Sequence, residues 1–257
     1  MPSILFEIKD GVGIIKFNRP DKMNAMNREM ALLLKATLDK CGELPEVRCV
    51  YITGSGNSFC SGQDLSEVDT GGASSNQILR ELYTPLVWKI RSIHKPVVAA
   101  INAVAAGAGA NLAFCCDVVL ATESAYFMQA FSKIGLVPDT GGTYILPRFV
   151  GWQRASALMM LADKISAAEG ERMGMIYKYF PDEKFEEEAM KIARKLAEMP
   201  TRSLTFIKHA LNYSSINSFE EQLAIEDEFQ QEALQTHDYK EGVKAFLEKR
   251  KPHFTGE

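Results

Sequence analysis

The segment GLVPDTGGTYILPR, Gly135 to Arg148, sets one carboxylate, Asp139, between a proline and a glycine pair. A short acidic side chain there can bond its own backbone in a turn, and on the residues alone that is the simpler reading. The other chemistry open to a lone carboxylate is proton transfer, which needs a partner that stabilises the charge left on the substrate. Two glycine-rich stretches offer such a partner. GSGNSFCSGQDL follows the apolar RCVYIT, and AAGAGANLAF follows VVAAIN. Loops leaving the C-terminal ends of parallel strands are where α/β folds place binding sites. Gly107 and Gly109 allow close backbone approach, and a helix beginning near Gly109 turns free N–H groups toward the loop. Close packing of a helix on a strand explains the same glycines, so both readings stand.

Other chemistries are poorly served. Neither glycine loop carries the Gly-Lys-Ser/Thr of a phosphate cradle, and no GxGxxG occurs in a convincing strand–helix setting. His94, His209, His237 and His253 fall in helical or helix-end contexts, none with a nucleophile-elbow serine. Cys41, Cys49, Cys60, Cys115 and Cys116 show no metal-ligand spacing, and their odd number fits reduced thiols. Cys115 and Cys116 sit in an apolar run and read as packing. No metal site and no separate cofactor are expected.

Composition bounds the partners. Hydrophobic residues at 46% and charged residues at 24% are ordinary for a globular protein. A net charge of −4 gives no overall attraction to nucleic acid or anionic membrane. The basic run LEKRKPHF reads as a solvated helix face. The most apolar stretch, PVVAAINAVAAGAGANLAFCCDVVLA, is broken by Asn, Gly and Asp, so no membrane span is expected. MPSILFEIKDG offers no signal-peptide core, and a cytoplasmic location is the expectation.

The elements that must position these loops follow from pattern. ILFEIKDGVGIIKFNR predicts a β-hairpin around Asp10-Gly11. A helix is predicted over Arg28 to Cys41, then a buried strand over RCVYITG, with GSGNSFCSGQDLSE as a loop. DTGGASSNQ, residues 69–77, has the composition of a mobile surface loop. Residues 78–92 suit an amphipathic helix ended by His-Lys-Pro. VVAAIN is a strand, AAGAGAN a turn, NLAFCC a short helix and DVVLAT a strand, which points to βαβ crossovers on a parallel sheet. NRPDKMNAM reads as a turn before a helix. Residues 152–250 should be mostly helical, with capping boxes at Ser166/Glu169 and Ser218/Glu221 and a looser one at Asp238/Glu241. Such C-terminal helices often pack on a partner subunit.

NRPDKMNAM, FCSGQDL, KPVVAAINAVAAGAGANLAF and GLVPDTGGTYILPR, in this order and spacing, resemble the enoyl-CoA hydratase/isomerase (crotonase) family. The resemblance spans the whole chain. It implies an α/β fold, a crotonase-like ββα spiral over 1–195 with a helical trimerisation region over 196–257. It implies an acyl-CoA substrate, coenzyme A being part of the substrate, and a homotrimer or a hexamer built as a dimer of trimers. It places the oxyanion-hole amides at Gln63 and Ala108. It lays Lys22, Met23, Ala25, Ser61, Asp64 and Leu65 along the CoA moiety, and adds Phe246 and Lys249 as nucleotide contacts, from a neighbouring subunit or this one.

The chain then leaves the hydratase pattern. A typical hydratase of this family uses two glutamates, and alignment of the motifs sets Asn111 and Phe131 at their positions. Neither transfers a proton as a carboxylate does. Asp139 matches the acid used by a subset of the family, including isomerases, and the pattern resembles the branch that rearranges ring-epoxidised phenylacetyl-CoA. One carboxylate can take a proton beside a thioester and return it elsewhere while the oxyanion hole holds the enolate. Phe131 is then expected as an apolar wall that excludes water and raises Asp139. A hydratase with water held by Asn111 and Asp139 is the rival within the family. A dehalogenase ranks well below the isomerase, and a non-catalytic binding protein on the same fold is the rival from another class.

Overall fold

A computed structural model describes residues 1–67 and 79–257, and the loop expected at 69–77 lies outside the described residues. Strands β1 (Ile4–Lys9) and β2 (Val12–Phe17) form the antiparallel hairpin. Asp10 and Gly11 both take positive φ, 52° and 76°, the two-residue turn whose twist matches its strands. Helix α1 (Arg28–Glu43) starts where Asn27 accepts the Met30 N–H at 3.0 Å. It buries Met30, Leu34, Leu38 and Cys41, one stripe of a helical wheel.

From here the chain repeats strand, short strand, helix. The strands come in pairs: β3 (Cys49–Gly54) with β4 (Ser58–Cys60), β5 (Val97–Ile101) with β6 (Val104–Ala106), and β7 (Val118–Thr122) with β8 (Tyr126–Met128). Strands β9 (Ile165–Ser166) and β10 (Lys178–Phe180) complete the set. The first member of each pair joins a sheet of order β1-β2-β3-β5-β7-β10, and the second joins one of order β4-β6-β8-β9. All pairings are parallel except β1 with β2 and β8 with β9. This is the ββα spiral. The parallel sheet expected from the βαβ pattern is present, and a second small sheet joins it, because β4 lies inside the stretch expected as loop and β6 reaches two residues into the glycine turn. Strands three residues long carry too few positions to show alternation.

The helices after α1 are α2 (Thr84–Ser92), entered through a π-helical turn (Leu79–Tyr83), α3 (Ala108–Phe114), α4 (Gly142–Val150) and α5 (Trp152–Leu161). They continue with α6 (Ala167–Arg172), α7 (Asp182–Glu198), α8 (Thr201–Tyr213), α9 (Phe219–Leu234) and α10 (His237–Glu248). The main core fills the space between the two sheets and helices α1 and α2. A second cluster lies under α7, whose Phe185, Ala189, Ala193 and Ala197 make a stripe at four-residue spacing. Strand β5 is buried along its whole length, which is why VVAAI reads as an unbroken apolar run.

The caps differ in detail from expectation. Ser218 and Glu221 form a complete capping box. Ser166 accepts the Glu169 N–H, but the Glu169 carboxylate pairs with Arg172, so that box is half made. Asp238 is no cap: Thr236 caps α10, and the buried Asp238 accepts the Thr255 and Gly256 N–H groups, each at 2.8 Å. That spacing disguises an anchor for the C-terminal tail. In the LEKRK run, Arg250 is taken up by Glu241 and Glu248. All five cysteines are free and buried. Among the described residues no helix is long and apolar enough to cross a membrane.

Candidate active site

Helix α3 begins at Ala108, directly after Gly107, three residues earlier than the NLAFCC reading. A side chain at Gly109 would put its Cβ 2.3 Å from the Cys60 carbonyl oxygen, so only hydrogen fits where α3 meets the end of β4. This contact brings the two glycine-rich loops together. On the first loop, the Met26 N–H donates to Gly62 O at 2.7 Å and the Asp64 N–H to Met26 O at 3.0 Å. A parallel bridge of this kind turns the Gln63 N–H to the opposite side. A Cβ on Gly62 would lie 3.6 Å from the Ala108 nitrogen, so Gln63 emerges beside the start of α3. Neither the Gln63 nor the Ala108 N–H donates to a backbone carbonyl among the described residues. Two neighbouring unspent donors can hold an oxygen that gains negative charge.

Asp64 braces this loop from below. It is buried, accepts the Ser66 hydroxyl at 2.6 Å and pairs with Arg19 at 2.8 Å. The Ser66 bond first, then Arg19, holds its carboxyl below the usual range, so it stays ionised. Arg19 also donates to the Ala25 carbonyl, tying the PDKMNA segment to the same acid. Met23 and Asn24 take left-handed backbone, and the buried Asn24 amide donates to Ser55 O and Ser58 O. The Met23 carbonyl accepts from Ser61 N at 3.1 Å. Lys22, Met23 and Leu65 are exposed, with Ala25 and Ser61 half-buried, so these five form one rim around the Gly62–Gln63 loop. Asp64 lies beneath that rim.

Asp139 stands at the mouth of α4. Its carboxylate accepts the Thr140 hydroxyl at 2.8 Å, and its carbonyl accepts the Gly142 N–H at 2.9 Å. Thr140 holds φ at 52°, a strained position for a β-branched residue and one that turns of functional sites tolerate. Burial, the dominant cause, pushes the Asp139 carboxyl above its ordinary range, against the opposing Thr140 bond. Phe131 is buried, and its ring lies 3.9 Å from where a side chain at Gly107 would begin. Cys60, at the junction of the loops, is pushed up to about 11 by burial and is no thiolate nucleophile.

Asn111 is fully buried and both ends of its amide are engaged. Its nitrogen donates to the Asp139 carbonyl at 2.8 Å and its oxygen accepts from Gln129 at 2.8 Å. It therefore anchors the Asp139 turn to α3. Phe246 is 83% exposed on α10 and lines an apolar groove with Phe206 of α8 and Phe229 of α9. Lys249 caps that helix with left-handed backbone. Within one chain these two belong to the C-terminal helices and not to the rim at 22–25 and 61–65. Sequence reasoning missed Arg19, Asn24, Gln129 and Thr140. The Pro-Asp-Thr-Gly-Gly turn signalled Thr140, whereas nothing in the local pattern marked Gln129.

Residues 7–257 match the family model described as enoyl-CoA hydratase/isomerase. A relative from Rhodobacter capsulatus, named probable enoyl-CoA hydratase, is 47% identical, with 99% of this chain and 98% of the relative covered. The 1,2-epoxyphenylacetyl-CoA isomerase of Escherichia coli K12 is 42% identical, with 100% and 99% covered. Among solved structures, an enoyl-CoA hydratase from Bacillus anthracis superposes with a TM-score of 0.92 at 30% identity, covering 99% of this chain and 100% of that one. One from Polaromonas sp. JS666 also gives 0.92, at 32% identity over 98% and 99% of the two chains. Two unspent amides across a strand–helix junction, on this spiral and with this full-length kinship, place the chain in the enoyl-CoA hydratase/isomerase family.

Proposed function

We propose that the protein is an acyl-CoA isomerase in which Asp139 is the single base. It takes the proton from the carbon beside the thioester, and the electron pair moves into the thioester oxygen held by the Gln63 and Ala108 amides. Asp139 then returns the same proton to another carbon, so no atom is gained or lost. The carrying observation is the contrast between the two acids near the site. Asp64 is held ionised by Ser66 and Arg19, while burial raises Asp139 toward the range of a working base.

The hydratase alternative lacks support at the positions it needs. Asn111 spends its amide on Gln129 and the Asp139 carbonyl, and Phe131 adds an apolar wall by the oxyanion loop. The Escherichia coli relative's name supports a ring epoxide, ring-1,2-epoxyphenylacetyl-CoA rearranging to its oxepin, as one substrate. A β,γ- to α,β-enoyl shift uses the same proton path. Lys22, Met23, Ala25, Ser61 and Leu65 would flank the CoA arm.

The test is to follow crotonyl-CoA, a β,γ-enoyl-CoA and enzymatically made ring-epoxide CoA by absorbance and mass spectrometry, beside Asp139→Asn. Conversion without mass change, reduced roughly 100-fold or more in the variant, is expected. Rapid addition of water to crotonyl-CoA that ignores the substitution would replace this reading with a hydratase. A protein that exchanges no proton beside any bound thioester would be a binding protein.

A further inference from the structure

Tyr83 ends the π-helical turn Leu79–Tyr83, immediately before α2. It is 2% exposed, and its hydroxyl is buried with no hydrogen-bond partner among the described residues. An unpaired buried hydroxyl destabilises a fold, and phenylalanine would fill the same space without that penalty. A π-helical turn also strains the helix that contains it and recurs at functional sites. The group therefore needs a use.

Its surroundings name one. Burial first, then the neighbouring Cys60, Asp139, Glu67 and Asp64, push the phenol far above its ordinary value, so it stays protonated and can donate. Those four residues belong to the oxyanion loop and the catalytic turn. Helix α2, which Tyr83 leads into, packs on that same turn, since a Cβ at Gly141 would lie 3.8 Å from Val87 Cγ1. Asp139 accepts the Thr140 hydroxyl, and the Tyr83 O–H has no acceptor among the described residues.

We propose that Tyr83 is a specificity-determining residue whose hydroxyl donates to an oxygen on the acyl group, selecting an oxygen-bearing ring acyl-CoA over a hydrocarbon enoyl-CoA. The inference rests on the acyl-CoA isomerase reading and deepens it by choosing between its two substrate classes. The physical basis is asymmetric. A site with a buried donor rejects a ligand that leaves it unpaired far more strongly than an apolar wall rejects an extra oxygen.

The experiment measures calorimetric binding of 2-hydroxyphenylacetyl-CoA and phenylacetyl-CoA to the wild-type protein and to Tyr83→Phe. Their turnover of ring-epoxide CoA and a β,γ-enoyl-CoA is measured alongside. The wild-type protein should prefer the oxygenated thioester, and the variant should lose roughly tenfold to hundredfold of that preference. The ratio of kcat/KM for ring-epoxide to β,γ-enoyl substrate should fall by a similar factor. Equal affinity of the wild-type protein for the two thioesters overturns the proposal without any variant. So does a Tyr83→Phe protein, folded by circular dichroism, that weakens both ligands alike. Lost isomerisation with the binding preference intact would remove the isomerase reading alone. Isomerisation intact with no preference would remove only the role of Tyr83.

Discussion

A carboxylate is a base only where its surroundings let it hold a proton near the working pH. Burial raises Asp139 above its ordinary value of 3.8. In the proposed isomerase the ionised form is the base, so kcat/KM should fall as pH drops through that raised value. The acid limb of the profile should therefore lie above the usual carboxylate range and vanish in Asp139→Asn. The same shift has a stability consequence of opposite sense to a salt-bridged acid. Between 3.8 and the raised value the folded state binds more proton than the unfolded chain, so stability falls as pH rises through that window. Asp139→Asn should melt higher than the wild-type protein at neutral pH, and the gain should disappear below the ordinary value. Asn111→Ala tests the brace behind the base. Removing its amide frees the Asp139 carbonyl and leaves Gln129 Nε2 without its acceptor. About 1–3 kcal/mol of stability should be lost in thermal melts. Loss of position should lower kcat by roughly 10- to 100-fold, more than it changes KM.

At the level of elements, the site depends on a junction that admits no side chain. The start of α3 rests on the end of β4 because Gly109 has no Cβ to meet the Cys60 carbonyl at 2.3 Å. Gly109→Ala must move one element off the other, and the Ala108 amide moves with it. The expected outcome is a loss of isomerisation larger than the loss of stability, with CoA-thioester binding weakened. Unaltered turnover in Gly109→Ala would show that the junction tolerates the shift. Short strands explain why this junction is hard to foresee. Strands β4 and β6 have three residues each, and their register is set by each other and by β8. The long elements β3, β5 and α1 carry enough positions for their periodicity to show.

For the whole molecule, the C-terminal helices leave apolar side chains in solvent, among them Ile207, Leu211, Phe219, Phe246 and Leu247. We expect these faces to be covered by other copies of the chain, giving a trimer or a hexamer. Light scattering should return three or six times the chain mass of 28.6 kDa. A monomer would leave Phe246 and Lys249 away from the rim at 22–25 and 61–65, and their nucleotide role would then be withdrawn. In a trimer a neighbouring copy can bring them to that rim, and Lys249→Ala should raise KM for the thioester more than it lowers kcat.

The sequence by itself determined the hairpin turn at Asp10-Gly11, the long helices, the unbroken apolar β5, and the two glycine loops with one acid at Asp139. Each is a local signal: turn backbone, periodicity, or the absence of a side chain. Asn111 and Phe131 carry no carboxylate whatever the fold does. Only the tertiary structure decided that Asn111 braces the Asp139 turn, because its partners Gln129 and the Asp139 carbonyl come from two other segments. The same holds for Asp238, whose ligands come from the chain terminus, and for Asp64, which pairs with Arg19 from 45 residues away. A polar side chain's role is set by what reaches it across space, and no spacing along the chain encodes that.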